Sequence, residues 1–426
     1  MRSQVSEYLD EIVAATATGP ARGEPATYIP ELAHVDPTLL GVALTTTDGV
    51  TYAAGDADTM LSIQSISKPF VYALAMRDRG IAAVEEKVGV EPSGEAFNEM
   101  TLEEVSKRPY NPMINAGALA THALVGEPGI TDEERDELVL AGLSAFAGRR
   151  LEVDEKVHGS EMDTAHRNFS IAHMLYGYDI LTIDAHAAVR GYTRQCAIRA
   201  SPRDLSVMAA TLANGGTNPV TGEQVVPVDV VRQTLSVMLA CGMYDAAGDW
   251  ITDVGIPAKS GVGGGLIGAL PGQLGVASFS PPLDEHGSSA RGVEIFERLS
   301  HDFGLHLMSV PPLTRSVIRD RGSVDLIDGR SATSYVLQGP LRFSSVEAVV
   351  RVVTDNPPEH RSVVVDTTSA TSVDATAARM LGDLVARLRA EGYEAWLVGL
   401  PGIIDPDDVA ADVSVVPSVG EIDLRS

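Results

Sequence analysis

The sequence has little of what stabilises a secreted protein or anchors a membrane protein. It contains two cysteines, Cys196 and Cys241, so we expect two buried thiols in a reducing compartment rather than a disulfide or redox pair. The N-terminal segment lacks the basic start and apolar core of a signal peptide. No stretch reaches the ~18–20 apolar residues that a membrane-spanning helix needs. These absences predict a cytoplasmic protein that does not bind a membrane.

Positive charge is also scarce. There are 32 lysine and arginine residues against 58 aspartate and glutamate residues, which gives a formal net charge of −26. This excess of negative charge argues against binding to nucleic acid or to an anionic membrane surface. Hydrophobic residues make up 44% of the chain, which is typical of a globular protein. The length of the chain predicts two or more domains.

The first part of the chain combines short strands with long helical segments. Residues 27–33 (TYIPELA) predict an extended stretch, and residues 40–55 alternate apolar side chains around Thr47-Asp48-Gly49. An Asp-Gly pair favours a turn with positive φ, so the second segment predicts a β-hairpin. From Ser65 onwards the pattern is helical and remains mainly helical as far as residue 245.

One of these helices begins with a clear signal, since Thr131 and Glu134 have the spacing of a capping box. The pattern changes again near residue 260. Residues 263–282 predict two glycine-punctuated antiparallel strands, and residues 292–307 predict a closing helix. The order of elements is therefore strands, a helical insert, further strands and a final helix. This order predicts an α+β domain over residues 1–310, in which helices cover a sheet.

A second pattern occupies the C-terminal part of the chain. Residues 311–331 are polar and irregular, and they predict a linker. Strands and helices then alternate over residues 332–426, which predicts a small α/β domain with a mostly parallel sheet. The predicted order is strand 335–343, helix 346–353, strand 362–366, helix 374–391, strand 394–400, a short helix and strand 413–417.

Ser65 and Lys68 are the first residues that suggest chemistry. In a helix that starts here they lie at positions i and i+3, on one face and within reach of each other. Serine is a weak nucleophile at neutral pH, and a lysine in a dry pocket can lose its proton and act as its base. The S-x-x-K spacing alone is common in long proteins, where a solvated lysine near a capping serine is the ordinary explanation.

Lys259-Ser260-Gly261 gives the pair a recognisable context. In serine β-lactamases and penicillin-binding proteins an S-x-x-K helix faces a K-[ST]-G edge strand across the active site. A backbone amide of that strand helps to form the oxyanion hole, which stabilises the negative charge of the tetrahedral intermediate. The order of hairpin, S-x-x-K helix, helical insert, K-S-G strand and final helix matches this architecture. Residues 261–265 (GVGGG) lack the arrangement of a phosphate-binding loop.

Seven segments in order narrow the match to one family. The segments are YIPEL (28–32), QSISKPF (64–70), NPMINAGA (111–118), SEMDTAHRN (160–168), GYTRQC (191–196), CGMYDAAG (241–248) and KSGVGGG (259–265). With these segments the chain resembles the serine-dependent glutaminases across nearly all of residues 3–308. The resemblance implies the β-lactamase-like fold and hydrolysis of L-glutamine to L-glutamate and ammonia.

The resemblance implies a role for each matching catalytic residue. Ser65 attacks the side-chain amide of glutamine, ammonia leaves, and water hydrolyses the resulting glutamyl ester. Lys68 takes the proton of the serine, and Tyr244 relays protons beside it. The backbone amides of Ser65 and Val262 form the oxyanion hole.

The resemblance also implies a binding site for free L-glutamine, whose charged groups need partners when they leave water. It implies no metal or organic cofactor, and the histidines lack metal-ligand spacing. It favours a homo-oligomer, either a dimer or a tetramer. The implied substrate-binding residues are Glu161 for the ammonium group, Asn115, Asn168 and Tyr192 for the carboxylate, and Tyr28 and Gln64 along the pocket wall.

Two features of the C-terminal domain point to a family, namely its strand order and the segment VVVDTTSATSVDATAA (363–378). In both it resembles a STAS domain, the fold of anti-sigma-factor antagonists and of sulfate-transporter tails. Regulated members carry a phosphorylated serine after the aspartate at position 374, but here Ala375 and then Thr376 follow Asp374. We therefore do not expect the known phospho-switch. Binding of a protein partner, oligomer packing, nucleotide sensing and a purely stabilising role all remain open.

Two other functions fit parts of the sequence. A β-lactamase or D,D-peptidase shares the catalytic architecture, but it acts in the cell envelope and needs a signal peptide, which we do not expect here. A scaffold with an inactive enzyme domain is disfavoured because Ser65, Lys68, Tyr244 and Glu161 are all present. The glutaminase hypothesis is therefore preferred.

Overall fold

The computed structural model describes residues 4–19, 23–94, 100–309, 316–327, 329–399 and 415–422, together with residues 404, 409 and 413. The chain divides into two compact units, Met1–Ser309 and Val310–Ser426. Within the described ranges, no helix is both long and apolar enough to cross a membrane.

The described strands of the first unit form two sheets. They are β1 (Gly41–Thr46), β2 (Thr51–Gly55), β3 (Leu61–Ser62), β4 (Glu152–Val153), β5 (Ile198–Ala200), β6 (Ala258–Gly261), β7 (Gly265–Leu270) and β8 (Leu274–Phe279). The large sheet is antiparallel with the order β2-β1-β8-β7-β6, and the small sheet has the order β3-β5-β4. Because β8 pairs with β1, the start and the end of this unit complete one sheet.

Helices fill most of the chain between the two halves of the large sheet, as predicted. Short 3-10 helices occur at Leu32–His34, Gln64–Ile66 and Tyr244–Ala246. The α-helices of the described first unit are α1 (Gln4–Ala17), α2 (Ser67–Arg79), α3 (Ile81–Glu85), α4 (Asn115–Ala123), α5 (Asp132–Ala147), α6 (Glu155–Thr164), α7 (His166–Gly177), α8 (Ala185–Cys196), α9 (Pro202–Ala213), α10 (Val228–Cys241), α11 (Ala247–Asp253) and α12 (Ala290–Phe303).

The large sheet is covered on both faces. Ile267 and Ala277 belong to the hydrophobic cluster that contains α2 and α9, whereas Leu266 and Val276 belong to the cluster that contains α1 and α12. Neighbouring residues of a strand point to opposite faces, so the alternation places α9 and α12 on opposite sides. Helix α9 approaches so closely that a Cβ atom at Gly275 would lie 2.1 Å from a backbone nitrogen of that helix. This packing confirms the α+β layout.

Two local predictions for this unit are confirmed by their hydrogen bonds. The β1–β2 turn contains Gly49 with φ of 90°, and its N–H donates to the carbonyl of Thr46 at 2.9 Å. At the start of α5 the Glu134 N–H donates to Thr131 Oγ1 at 3.2 Å, and the Thr131 N–H donates to Glu134 Oε2 at 2.8 Å. The predicted strand pair and closing helix correspond to β7, β8 and α12.

The prediction of an extended stretch over residues 27–33 is wrong. The segment forms a turn that leads into the 3-10 helix Leu32–His34. The Ile29 carbonyl accepts from the N–H groups of Leu32 and Ala33 at 3.0 and 3.3 Å. Ile29 and Leu32 are buried, so the apolar residues that resembled a strand instead anchor a turn.

The second unit contains the predicted small α/β domain. Its described elements are β9 (Ile318–Asp325), β10 (Ser331–Leu341), α13 (Phe343–Asp355), β11 (Ser362–Val373), α14 (Ala375–Ala390), β12 (Glu394–Val398) and β13 (Val415–Val416). The sheet order is β13-β12-β11-β10-β9, and all neighbouring pairs are parallel except β10 with β9. The short helix predicted between 400 and 413 lies outside the described residues.

The prediction that residues 311–331 are an irregular linker is wrong for residues 318–325, which form β9. This strand lies at the edge of the sheet and pairs antiparallel with β10. Most of its side chains are exposed. An exposed edge strand needs no apolar alternation, and polar residues protect it from unwanted pairing, so its sequence resembles that of a loop.

Candidate active site

The predicted nucleophile lies at the junction between β3 and α2. Ser65 is the middle residue of the 3-10 helix Gln64–Ile66, and α2 begins two residues later than predicted, at Ser67. Gln64 has a φ of 51°, in a region that residues other than glycine rarely adopt. Ser65 is partly exposed, while Lys68 is fully buried. The turn therefore presents the serine at the surface of a cavity with the lysine beneath it.

Lys68 is held by uncharged groups. Its Nζ donates to the carbonyl of Met113 at 3.0 Å, to Asn115 Oδ1 at 2.8 Å and to the hydroxyl of Tyr244 at 3.4 Å. Burial lowers the pKa of Lys68 to about 7. A large fraction of the amine is therefore neutral near pH 7, and a neutral amine can accept a proton.

Tyr244 connects the lysine to the serine. Its side chain makes a hydrogen bond with Ser65, and its hydroxyl lies 3.4 Å from Lys68 Nζ. Burial raises the pKa of Tyr244 above its ordinary value, although the hydrogen bond with Ser65 opposes this effect. The phenol therefore keeps its proton at neutral pH. Tyr244 itself has a φ of 55°. Tyr244 and Gln64, the residue before the nucleophile, therefore both have a positive φ.

Lys259 also belongs to the site, although the K-S-G motif alone assigned it no individual role. It lies in β6, is fully buried, and its Nζ is 3.8 Å from the centre of the Tyr244 ring. Burial, reinforced by the charge of Lys68, lowers the pKa of Lys259 well below its ordinary value. The K-S-G motif marked its position, but only the fold shows that its amine packs on the face of Tyr244.

The glycines of the K-S-G-V-G-G-G segment allow β6 and its turn to approach the nucleophile. A Cβ atom at Gly261 would lie 2.7 Å from the carbonyl oxygen of Ile63, and one at Gly263 would lie 2.6 Å from that of Ser62. Any larger residue would therefore push the turn away from the chain that leads to Ser65. As a result, Val262 lines the same cavity as Ser65.

The cavity gathers almost all of the predicted binding residues. Its volume is about 300 Å³, which is suitable for a small molecule. Every member of the predicted substrate-binding set lines it except Tyr244, which reaches it through Ser65. The lining residues are Tyr28, Ile29, Gln64, Ser65, Asn115, Glu161, Thr164, Ala165, Arg167, Asn168, Tyr192, Cys196 and Val262.

Glu161 supplies a carboxylate at the wall of this cavity. It lies on α6, and its Oε1 accepts a hydrogen bond from Gln64 Nε2 at 2.5 Å. Burial raises the pKa of Glu161 to about 7, while the hydrogen bond from Gln64 acts in the opposite direction. A cation placed beside this carboxylate would favour its ionised form.

The three residues expected to bind a carboxylate also contact one another. Asn115 Oδ1 accepts from Lys68 and, at 3.2 Å, from the Tyr192 hydroxyl, while Asn115 Nδ2 donates to Asn168 Oδ1 at 3.0 Å. Asn115 therefore connects the amine of Lys68 to the opposite part of the cavity wall. Sequence reasoning assigned it to substrate alone and did not find this second role.

The five lining residues that were not predicted are Ile29, Thr164, Ala165, Arg167 and Cys196. Each is inside or next to a matching segment, which is the signal that could have identified it. Cys196 and Cys241 are both free and buried, as expected. Burial raises the pKa of Cys196 to about 12, so its thiol is not a nucleophile at neutral pH. Among the described residues, no group of histidine, cysteine and acidic side chains is placed to hold a metal ion.

Comparison with known proteins agrees with this geometry. The family model described as glutaminase matches residues 23–308, and the STAS domain model matches residues 324–405. The glutaminase of Corynebacterium glutamicum is 47% identical over 409 residues, which cover 96% of each chain. This chain belongs to the glutaminase family. The resemblances to a glutaminase and to a STAS domain are thus confirmed.

Solved structures support the assignment to the glutaminases. The crystal structure of Mglu in its glutamate form is 42% identical, with a TM-score of 0.85 over 96% of this chain and 100% of that chain. A probable glutaminase from Bacillus subtilis, solved in complex with 6-diazo-5-oxo-L-norleucine, is 32% identical. Its TM-score is 0.66, over 72% of this chain and 98% of that chain. The glutaminase unit and the STAS unit are therefore both parts of an enzyme of this family.

Proposed function

We propose that this glutaminase hydrolyses L-glutamine to L-glutamate and ammonia through a glutamyl ester on Ser65. The conversion of glutamine to glutamate is the reaction of the family to which the chain belongs. One observation supports these residue roles above all others. The Ser65–Tyr244–Lys68–Asn115 chain of hydrogen bonds ends in the same cavity that contains the carboxylate of Glu161.

In the proposed acylation step, Ser65 Oγ forms a bond to the side-chain carbonyl carbon of glutamine. Lys68 accepts the proton of the serine, and Tyr244 passes a proton to the leaving nitrogen, which departs as ammonia. The N–H groups of Ser65 and Val262 stabilise the negative charge on the carbonyl oxygen. Water then attacks the ester with the same proton relay in the opposite direction, which releases glutamate and restores Ser65.

Recognition of the free amino acid follows from charge. Glu161 faces the α-ammonium group, while Asn168, Tyr192 and the remaining N–H of Asn115 face the α-carboxylate. Tyr28 and Gln64 form the wall of the pocket beside them. Because each charge of the substrate loses its water on binding, each needs such a partner.

The direct test measures ammonia release by the purified full-length protein from L-glutamine and L-asparagine and, in parallel, the colour change of a chromogenic β-lactam. Turnover of L-glutamine with little turnover of the β-lactam is expected. After incubation with 6-diazo-5-oxo-L-norleucine, mass spectrometry of the digested protein is expected to locate the label on the Ser65 peptide. Turnover of the β-lactam alone would indicate a β-lactamase or D,D-peptidase. No turnover of any of the three substrates would indicate an inactive scaffold.

The dependence of kcat/KM on pH is expected to be unusually steep on the acidic side. Below about pH 7 Lys68 gains a proton and can no longer act as a base, and in the same range Glu161 gains a proton and loses its charge. Both changes impair the free enzyme, so kcat/KM should fall by about 100-fold per pH unit well below pH 7. A pH–rate profile from pH 5 to pH 9 measures this, and a limb with a slope of one would contradict it.

The charge of Glu161 is tested by Glu161→Gln, which keeps the shape and an acceptor for Gln64. We expect KM for L-glutamine to rise by about 100-fold and kcat to change by less than about tenfold, because the lost interaction is with the ammonium group and not with the reacting amide. The slope of the acidic limb should fall from two to one.

Glu155→Gln is the matched control, since Glu155 lies on the same helix but pairs with Arg194 at the surface. Wild-type kinetics are expected for this control. An unchanged KM in Glu161→Gln, or an equal increase in both variants, would remove Glu161 from the binding site.

The domain roles belong to the same proposal. Residues 1–310 carry the catalytic domain, which acts as part of a dimer or tetramer, and residues 332–426 form a STAS-like domain that regulates activity or binds a protein partner. The Asp374 side chain accepts a hydrogen bond from the Ala377 N–H at 2.7 Å and caps α14. Ala375 offers no hydroxyl at the usual phosphorylation position, so the phospho-switch of regulated STAS domains is not expected here.

A further inference from the structure

We infer that Ser67, Gln195 and His122 are positioning residues that aim the Ser65 N–H at the reacting carbonyl oxygen. They form a buried chain of hydrogen bonds that ends at the carbonyl of Gln64, behind the nucleophile. The inference depends on the proposed role of Ser65 and extends it to residues that do not touch the substrate.

The first step follows from the geometry of a peptide unit. The Gln64 carbonyl and the Ser65 N–H belong to the same trans peptide, so they point in opposite directions and rotate together. The Gln64 carbonyl accepts a hydrogen bond from Ser67 Oγ at 2.8 Å and another from the Ser67 backbone N–H. Fixing this carbonyl on the inner side therefore fixes the Ser65 N–H on the side of the cavity.

This peptide unit needs support because its conformation is unfavourable. Gln64 has a φ of 51°, and a non-glycine residue keeps such a conformation only where its surroundings hold it there. The Gln64 side chain is fixed by Glu161 and by Ser62, while its carbonyl is fixed by Ser67. Without the bond from the Ser67 hydroxyl, the peptide has more freedom to rotate.

Behind Ser67 the chain continues through groups with defined directions. Gln195 Nε2 donates to Ser67 Oγ at 3.1 Å, and the Gln195 Oε1 atom lies 2.9 Å from His122 Nδ1. An amide oxygen only accepts, so His122 Nδ1 must donate. All three side chains are at most 1% exposed. The orientation of His122 thus fixes the Gln195 amide, whose N–H occupies a lone pair of the Ser67 hydroxyl. The Ser67 proton is directed to the Gln64 carbonyl at 2.8 Å, and the Cys196 thiol is the other hydrogen-bond neighbour of this hydroxyl.

The protonation state and the surroundings of His122 define the far end of this chain of hydrogen bonds. Burial lowers the pKa of His122 to about 4, so it remains neutral. With the proton on Nδ1, its Nε2 carries none; this atom lies 3.7 Å from Asp136, beyond hydrogen-bond distance, and Asp136 pairs instead with Arg190 at 2.9 Å. A Cβ atom at residue 191 would lie 2.1 Å from His122 Nε2. Gly191, the first residue of the G-Y-T-R-Q-C segment, therefore leaves room for the His122 ring because it has no side chain.

The experiment compares Ser67→Ala with Ser300→Ala in the full-length protein. Ser300 is an equally suitable buried serine whose hydroxyl donates to the carbonyl of Val254 at 2.7 Å, in the packing of α12 rather than at the active site. For Ser67→Ala we expect kcat to fall by about 10- to 100-fold, which is less than the complete loss of an oxyanion donor. KM and the inhibition constant of L-glutamate should stay within about twofold, since ground-state contacts are retained.

Three further measurements separate positioning from general damage. The pH at the midpoint of the acidic limb should not move in Ser67→Ala, because the partners of Lys68 lie on other elements. The thermal midpoint should fall no further than in Ser300→Ala. Gln195→Met, which keeps the approximate shape of the side chain, should lower kcat in the same way, and the double variant should lose no more than the stronger single variant.

A Ser67→Ala enzyme with a kcat within twofold of wild type overturns the inference, as does a loss equal to that of Ser300→Ala. If Ser67→Ala does not fold, Gln195→Met decides by the same two criteria. These outcomes are distinct from failure of the proposed function, in which the wild-type protein itself releases no ammonia from L-glutamine.

Discussion

A Ser65→Ala variant is expected to release ammonia from L-glutamine about 10⁴- to 10⁶-fold more slowly than the wild type, because it removes the atom that carries the glutamyl group. Tyr244 loses its hydrogen bond with Ser65, but the other contacts of the site do not depend on the lost hydroxyl. Lys68 keeps its contacts with Met113 and Asn115, and Glu161 keeps its contact with Gln64. L-Glutamate should therefore still bind, with an affinity close to that of the wild type.

Steady-state ammonia release and calorimetric titration with L-glutamate measure these two effects separately. The variant should also fail to take up label from 6-diazo-5-oxo-L-norleucine. Ser300→Ala serves again as the control, here for loss of a serine hydroxyl away from the active site, and should show full activity. A Ser65→Ala enzyme that retains more than about 1% of wild-type kcat would show that another group is the nucleophile.

Replacement of Lys68 has the second largest expected effect. Lys68→Met should lower kcat by about 10²- to 10⁴-fold, since it removes the base that activates the serine. Lys68→Arg should be as inactive as Lys68→Met, because a guanidinium keeps its proton at all ordinary pH values. If Lys68 acted only through its positive charge, Lys68→Arg would instead retain most of the activity. The kcat values of the two variants therefore distinguish a base from a charge.

Stability provides the control for this experiment. The pKa of Lys68 is lowered from 10.5 to about 7 in the folded protein. Below pH 7 both the folded and the unfolded chain carry the proton, so the full cost of burying the charge is present, and this cost disappears as the pH rises toward 10.5. Lys68→Met should thus have a higher thermal midpoint than wild type at pH 6, with a smaller difference at pH 9. Lys87 is partly exposed, and its amine donates to the Asp179 carbonyl at 2.8 Å away from the active site, so Lys87→Met should change neither activity nor the dependence of the thermal midpoint on pH.

Local sequence signals predicted most elements of the first domain because their causes are local. The capping box at Thr131 and Glu134 and the Asp-Gly turn at Gly49 depend on hydrogen bonds between residues close in sequence. The segment at 27–33 was misread because apolar residues at a turn can be buried as well as those in a strand. Strand β9 was missed because its stability comes from pairing with β10 rather than from its own side chains.

The reacting pair was also accessible from sequence, since Ser65 and Lys68 are neighbours on one turn of chain. Their environment was not accessible in the same way. The lowered pKa of Lys68 and the raised pKa of Glu161 have burial as their largest cause, and burial depends on every element packed around the site. The contact between Lys259 and Tyr244, and the chain from Ser67 to His122, join residues that are far apart in sequence.

The sequence by itself determined the family, the order of the elements and which residue types take part, because motifs and periodicity are properties of short segments. Only the tertiary structure decided how those residues work together. Through glycines it brought β6 and its turn close to the chain leading to Ser65. It also directed Asn115 toward Lys68 as well as toward the cavity, and it buried beneath the serine an amine whose pKa is lowered to about 7. Distances and desolvation arise from packing between distant segments, and no short stretch of sequence records them.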